Sequence, residues 1–258
     1  MRSILVMAFA ALLLAPASAV TAEPADLFAA RGVDGTFVLY DPEMEKLVVV
    51  NEERARKRFV PASTFKVANS LIALETGAVK SVDEVLPYGG EPQPFEKWER
   101  DMSMREAIAM SNVAIYQEVA RRIGLERMRT MLAELDYGNR DPGTVIDRFW
   151  LDGPLAISAV EEAEFLARLA RSELPLATET QAAVREIMLL EEKDGKRLYG
   201  KTGWAFAEGG GGLGWFVGWV EHEGEVHAFA LNLDMTEDKQ AEWRIPLAKE
   251  FLKELGAW

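Results

Sequence analysis

The sequence predicts an α+β fold, in which an antiparallel sheet is flanked by helices and a helical subdomain is inserted between its strands. Three observations lead to this prediction. Runs rich in β-branched and aromatic residues occur near both ends of the chain, within residues 37–50 and 197–234. Helical patterns occupy the region between them. The connections within residues 198–234 are short enough for hairpins but too short for the crossovers that join parallel strands.

The first elements are expected to be a hairpin and a helix. The turn signal Asp41-Pro42 separates two β-rich runs and predicts a hairpin over residues 37–50. Residues 63–76 carry an apolar stripe at helical spacing, and Gly77 follows them as a typical helix C-cap. This helix is therefore expected to pack its apolar face into the core.

The middle of the chain is expected to be mostly helical. Helical patterns cover residues 103–134, with a break near Gly124, and then residues 158–171 and 178–192. Residues 136–155 between them carry repeated turn signals and little periodicity. They predict a long structured loop region, a kind of segment that often carries function.

Three strands and a helix are expected to close the fold. The strands are predicted at residues 197–206, 213–222 and 225–234, and the helix at about residues 242–255. Four consecutive glycines, residues 209–212, join the first two strands and indicate a mobile loop.

Residues 1–19 have the pattern of a secretory signal peptide. A positively charged start is followed by an apolar stretch and by small residues, with cleavage expected near Ala19 or Ala22. The apolar stretch is too short for a membrane anchor. We expect one mature domain over residues 23–258, in a periplasmic or secreted protein. Its sheet region would cover about residues 23–60 and 185–258, and its helical region about residues 61–184.

The composition argues against several function classes. The formal net charge is −13, which makes the chain a poor candidate for binding nucleic acid or, after signal cleavage, an anionic membrane surface. The chain has no cysteine, so it forms no disulfide and no thiolate metal site. With only two histidines, His222 and His227, it is expected to hold no metal. The sequence leaves open whether the protein is a monomer or a homodimer.

Ser63 and Lys66 are a candidate nucleophile and base. They lie three residues apart at the start of a predicted helix, so both would project from one face, where backbone N–H groups favour negative charge. No acidic residue occurs between positions 54 and 74, and burial without an anionic partner lowers the pKa of a lysine. The same spacing arises by chance about once in a chain of this size, with the serine as a helix cap and the lysine as a surface charge. Other motifs must decide.

Four companion motifs give that decision. Each has an ordinary structural explanation by itself, as a helix cap, a turn, a core tryptophan or a strand. Their joint order and spacing are poorly explained by chance. They are Ser111-Asn112-Val113, Tyr137-Gly138-Asn139, Trp150-Leu151-Asp152-Gly153-Pro154-Leu155 and Lys201-Thr202-Gly203-Trp204.

Together these motifs resemble those of the class D serine β-lactamases, within the penicillin-recognising enzymes. The Ser-x-x-Lys and Lys-Thr-Gly elements are shared by the whole superfamily. The more specific signals are Val113, the Tyr137-Gly-Asn motif and Trp150. The resemblance extends over nearly the whole mature chain and implies that the protein hydrolyses β-lactam antibiotics and confers resistance to them.

The resemblance also implies a mechanism. An acyl-enzyme would form on Ser63, and Lys66, carboxylated by CO2, would act as the general base for acylation and deacylation, with no further cofactor. The indole N–H of Trp150 would donate a hydrogen bond to the carbamate. The apolar pocket of the lysine would be formed by Phe65, Val113, Trp150 and Leu151.

The remaining site residues are expected around the substrate. Ser111 and Lys201 would deliver a proton to the lactam nitrogen, and the backbone N–H groups of Ser63 and Trp204 would hold the oxyanion. Thr202 and Gly203 would contact the substrate beside them. Arg244 would bind the substrate carboxylate, because a guanidinium matches a carboxylate bidentately; otherwise it is a surface arginine of the last helix.

Two related functions fit many of the same motifs. A β-lactam sensor or a penicillin-binding D,D-peptidase would also acylate its serine but would deacylate slowly. A binding or structural envelope protein with an inert cleft is a third alternative, which the complete set of nucleophile, base and Lys-Thr-Gly motif argues against.

Overall fold

The computed structural model describes residues 27–258, so the predicted signal peptide and both expected cleavage points lie outside the described residues. The strands are β1 (Gly35–Asp41), β2 (Lys46–Val50), β3 (Val85–Leu86), β4 (Met102–Ser103), β5 (Leu189–Lys193), β6 (Lys196–Phe206), β7 (Gly212–His222) and β8 (Glu225–Met235). The α-helices are α1 (Glu52–Arg56), α2 (Lys66–Glu75), α3 (Met104–Ala109), α4 (Val113–Ile123), α5 (Leu125–Glu134), α6 (Ala159–Ala170), α7 (Thr178–Met188) and α8 (Arg244–Glu254).

A six-stranded antiparallel sheet with the order β2-β1-β8-β7-β6-β5 forms the centre of the fold. The hairpins β1–β2 and β7–β8 form where the turn signals predict them, and the predicted α+β fold class is confirmed. Strands β1 and β8, from opposite ends of the chain, pair directly, with Phe37 opposite Leu231. This pairing brings the N-terminal and C-terminal segments into one sheet.

Helices cover both faces of the sheet. On one face α8 packs its apolar side, and the ring of Phe251 stacks 4.6 Å from that of Phe37. On the other face α6 lies against β1 and β8, and α2 and the remaining helices pack beyond it in the larger core. Trp215 and Trp219 point into this larger core from β7 and are completely buried.

Helix α2 lies inside the core. Its first eight residues, from Lys66 to Ala73, are all buried. Five of the eight are apolar, and the polar Lys66, Asn69 and Ser70 share one face, as their spacing of three and four residues requires. Thr76 and Gly77 end it, and Gly77 has a φ of +67°, which confirms the predicted C-cap.

Two boundaries differ from the prediction. The helix predicted over residues 178–192 ends at Met188, and the next five residues form the edge strand β5. Their composition favours a helix, but pairing with β6 satisfies their backbone groups instead. The helical region 103–134 breaks near Gly124, as predicted, and also at residues 110–112, where Ser111 has a φ of +58°.

Candidate active site

Ser63 lies in a tight turn at the bottom of a cavity of about 530 Å³. The turn is a 3-10 helix, Ala62–Phe65, that leads directly into α2. Ala62 has a φ of +50°, a strained conformation for a residue with a side chain, and its N–H donates to the carbonyl of Trp150 over 2.9 Å. The neighbouring loop therefore holds the nucleophile turn in place.

Lys66 is completely buried and lies next to the nucleophile. Its Nζ is 2.7 Å from Ser63 Oγ, and 5.4 Å from the centre of the Tyr116 ring. Burial, and secondly the charge of Lys201, hold the pKa of Lys66 well below its ordinary value. The lowered pKa favours the neutral amine, which is the form that reacts with CO2.

Aromatic rings pack around Phe65, the residue before Lys66. The Phe65 ring lies 5.6 Å from that of Trp150 and 5.1 Å from that of Phe149. Val113 and Leu151 are half-buried and line the same cavity as Ser63. The four residues expected to form the lysine pocket are thus gathered around the turn of Ser63 and Lys66.

The indole nitrogen of Trp150 is a buried donor with no hydrogen-bond partner among the described residues. Leaving a buried donor unsatisfied costs about 1–3 kcal/mol, so such donors are rare and call for an explanation. A buried amine with a lowered pKa, beside a nucleophile turn whose Phe65 ring contacts the Trp150 ring with its unused N–H donor, fits carboxylation by CO2, because the resulting buried anion needs a donor.

Lys201 and Ser111 form a second pair. Lys201 Nζ, on β6, donates to Ser111 Oγ over 3.0 Å and to the carbonyl of Thr202 over 2.8 Å. Burial, together with the charge of Arg244, lowers the pKa of Lys201 to about 7. Ser111 sits in the break between α3 and α4, where Asn112 caps α4 by accepting from the N–H of Ile115. The break between α3 and α4, at the motif that can also be interpreted as a helix cap, is thus what presents Ser111 to Lys201.

Gly203 is required by the close approach of two backbone segments. A Cβ at this position would lie 3.0 Å from the carbonyl oxygen of Pro61 and 3.1 Å from Cγ2 of Thr64. Strand β6 therefore lies directly against the nucleophile turn. Thr202 and Trp204, on either side of this glycine, line the cavity.

Arg244 lies on the same side of the cavity as Trp204. Its Nη1 donates to the carbonyl of Gly203 and its Nε to that of Ala241, each over 2.6 Å, and its Cζ is 5.7 Å from the Trp204 ring centre. Burial lowers its pKa to about 10, so it stays cationic at neutral pH. No carboxylate of residues 27–258 pairs with it, and its charge is available to an anionic group in the cavity.

Hydrogen bonds fix the glycine loop, residues 209–212, at Gly211. The N–H of Gly211 donates to Asp238 Oδ1 over 2.9 Å, and its carbonyl accepts from the Trp204 indole over 2.8 Å. A Cβ on Gly211 would lie 2.1 Å from the carbonyl oxygen of Met235. The predicted mobile loop is thus fixed at this residue, next to the cavity.

Comparisons with known proteins agree with this geometry. A family model described as penicillin binding protein transpeptidase domain matches residues 35–255. The β-lactamase OXA-10 of Pseudomonas aeruginosa is 39% identical over 224 residues, which cover 86% of this chain and 83% of that protein. The crystal structure of FUS-1 (OXA-85), a class D β-lactamase from Fusobacterium nucleatum subsp. polymorphum, has a TM-score of 0.85 at 43% identity, over 89% of this chain and 96% of that one. The crystal structure of the class D β-lactamase YbXI from Nostoc also has a TM-score of 0.85, at 41% identity over 90% of this chain and 97% of that one.

The chain belongs to the class D β-lactamases. It is therefore a hydrolase of the penicillin-recognising fold, as the motifs predict. In the described part of this β-lactamase, no helix has the length and apolar composition needed to cross a bilayer. Residues 27–258 also contain no group of three or more His, Cys, Asp or Glu side chains that could hold a metal ion.

Sequence reasoning about this β-lactamase missed one polar group beside the nucleophile. Glu162, on α6, is buried and in hydrogen-bond contact with Thr64 and Tyr137. A sequence signal was present: position 162 lies three and four residues before Phe165 and Leu166, on the apolar face of the helix. A carboxylate on that face predicts a buried polar contact.

Proposed function

We propose that this class D β-lactamase hydrolyses β-lactam antibiotics through an acyl-enzyme on Ser63, with Lys66 carboxylated by CO2 as the general base for both half-reactions. The observation that carries the proposal is Lys66, completely buried with its Nζ 2.7 Å from Ser63 Oγ, at a turn that also contacts Trp150, whose indole N–H is unused. When bound to Lys66, CO2 supplies a carbamate oxygen that can accept a proton, first from the serine and later from water. Trp150, Phe65, Val113 and Leu151 would stabilise and shield that group.

The other residues act on the substrate. Ser63 Oγ attacks the lactam carbonyl, while the backbone N–H groups of Ser63 and Trp204 stabilise the oxyanion. Lys201, whose pKa of about 7 lets it lose and regain a proton at neutral pH, protonates the lactam nitrogen through Ser111. Arg244 holds the substrate carboxylate beside Thr202 and Gly203.

Export belongs to the same proposal. Residues 1–19 would be removed during secretion, and the mature enzyme would act in the periplasm or outside the cell, where it meets β-lactam antibiotics before they reach their targets. N-terminal sequencing of the exported protein tests this step: a mature start after Ala19 or Ala22 is expected, and an unprocessed Met1 would contradict it.

Hydrolysis of a chromogenic cephalosporin by the purified mature protein tests the function. We expect many turnovers per enzyme, a higher rate on addition of bicarbonate, and no turnover for Ser63→Ala or Lys66→Ala. A single stoichiometric burst that bicarbonate does not extend would instead identify a sensor or a D,D-peptidase that remains acylated. Near-normal turnover by Lys66→Ala would exclude Lys66 as the base.

A further inference from the structure

A buried carboxyl group that the mechanism does not use lies beside the nucleophile turn. Glu162 is 1% exposed, and its Oε1 lies 2.6 Å from Thr64 Oγ1 and 2.9 Å from the Tyr137 hydroxyl. Thr64 directly follows Ser63. Glu161, the neighbour of Glu162, is paired with Arg58 on the surface, but no cation in the described part of the chain contacts Glu162 itself.

Counting protons shows which form of Glu162 fits these contacts. Thr64 Oγ1 lies 2.6 Å from Glu162 Oε1 and also 2.9 Å from the carbonyl oxygen of Pro61. Together with the Tyr137 contact there are three oxygen–oxygen distances in the hydrogen-bond range, which need three protons. The hydroxyl groups of Thr64 and Tyr137 supply two.

A protonated Glu162 supplies the third proton. Its O–H then donates to Thr64, Thr64 donates to Pro61, and Tyr137 donates to Glu162. An ionised Glu162 would leave either the Pro61 carbonyl or its own contact with Thr64 without a proton. Burial without a cation favours the same neutral form and raises the pKa of Glu162 to about 7, although the hydrogen-bond contacts with Thr64 and Tyr137 offset part of this rise.

We propose that Glu162 is a neutral carboxylic acid and a positioning residue, which fixes the nucleophile turn through the hydrogen-bond chain Glu162–Thr64–Pro61. The turn needs this support because Ala62 is strained, with a φ of +50°. Strand β6 passes so close to the same Pro61 carbonyl that a Cβ at Gly203 would lie 3.0 Å from its oxygen. Helix α6 and strand β6 thus contact the turn from two sides and hold the Ser63 hydroxyl next to Lys66 Nζ.

The chain of hydrogen bonds depends on pH. The titratable groups that face Glu162 are Tyr137, from the loop after α5, and Glu161, on its own helix, whose negative charge also favours the neutral form. The segment before α2 contributes only the uncharged Thr64, and no charged side chain of the sheet strands that pack on α6 contacts it. As pH rises through the pKa of Glu162, the third proton is lost and the turn loosens.

Two substitutions test the proposal. The kinetic test rests on the proposed function, because it measures β-lactam hydrolysis. In Glu162→Gln the amide nitrogen can take the place of Oε1 and donate its two N–H groups to Thr64 Oγ1 and to the Tyr137 hydroxyl oxygen, but the group no longer titrates. Glu162→Leu removes both contacts at similar size. We expect kcat to fall about tenfold in Glu162→Leu with little change in KM, and to be restored by Glu162→Gln. A kcat for Glu162→Leu equal to that of wild type would overturn the positioning role.

The protonation state has a readout that needs no activity. Infrared difference spectra between wild type and Glu162→Gln should show the carbonyl band of a protonated carboxylic acid at pH 6, and this band should vanish by pH 9. Tm of wild type should fall relative to that of Glu162→Gln between pH 5 and pH 8. The absence of both effects would show that Glu162 is ionised and overturn the proposal. If wild type turns over no β-lactam, the proposed function fails, while the infrared spectra of wild type over the same pH range still decide the state of Glu162.

Discussion

Replacing Trp150 by Phe removes one indole N–H while keeping an aromatic ring beside the nucleophile turn. Trp150 is completely buried, and its Nε1 has no partner among the described residues. If this N–H stabilises carboxylated Lys66, the substitution removes a hydrogen bond to an anion, which contributes about 1.5–3 kcal/mol. The equilibrium between free and carboxylated Lys66 should then shift toward the free amine by about 10- to 150-fold.

The dependence of the steady-state hydrolysis rate on bicarbonate concentration measures this change in the carboxylation equilibrium directly. The half-saturating bicarbonate concentration of Trp150→Phe should rise by the same factor, and kcat should return toward the wild-type value when bicarbonate is saturating. Trp219→Phe is a matched control, because Trp219 is equally buried but its Nε1 donates to Glu221 over 2.9 Å. This control should lose stability and keep the wild-type bicarbonate dependence.

Two results would refute this reasoning about Trp150. If Trp150→Phe requires no more bicarbonate than wild type, its indole N–H does not stabilise a carbamate on Lys66. A loss of activity that saturating bicarbonate does not restore would likewise mean that Trp150 acts through packing alone.

Three further substitutions test other parts of the site. Arg244→Ala should raise KM for a carboxylate-bearing β-lactam about 10- to 100-fold and lower kcat less, because a charge-assisted contact to the substrate is lost; an unchanged KM would assign the carboxylate to another cation. Gly203→Ala should lower kcat, since its Cβ would lie 3.0 Å from the Pro61 carbonyl oxygen and displace the nucleophile turn, and wild-type kinetics would show that the turn tolerates the shift. Lys66→Met should abolish turnover but raise Tm at neutral pH, because it removes a buried amine whose pKa is depressed by burial. For such a lysine the unfolded chain binds more protons than the folded one, so the stability of wild type should rise as pH increases toward the ordinary lysine pKa. Lys66→Met should lack that rise. Equal Tm values for the two proteins would contradict the burial argument.

The sheet was largely predictable because its signals are local. Strands β6, β7 and β8 are bounded by turn residues, and their predicted limits agree with the structure to within one residue. Strand β5 was not predictable, because its Leu-Leu-Glu-Glu-Lys composition favours a helix and only pairing with β6 makes it a strand. The break at residues 110–112 was predictable in part, because Ser111-Asn112 can be interpreted as a helix cap, whereas residues 103–110 give no other sign that the helix ends.

The motifs predict the site residues but not how each is held. A spacing of three residues places Ser63 and Lys66 on one side of a turn, whereas the complete burial of Lys66 requires packing by residues distant in sequence, such as Tyr116, whose ring centre lies 5.4 Å from its Nζ. The need for glycine at position 203 comes from contact with Pro61, far away in sequence, rather than from the strand itself. Tertiary packing decides such features, and a single sequence does not encode them in any local pattern.

Carbon-13 NMR of the mature protein equilibrated with ¹³C-labelled bicarbonate is the most direct test of carboxylation at Lys66. Wild type is expected to show a protein-bound carbamate signal that is absent in Lys66→Met and weaker in Trp150→Phe at the same bicarbonate concentration. A wild-type spectrum without this signal, at bicarbonate concentrations that saturate hydrolysis, would contradict the role of Lys66 as a carboxylated base.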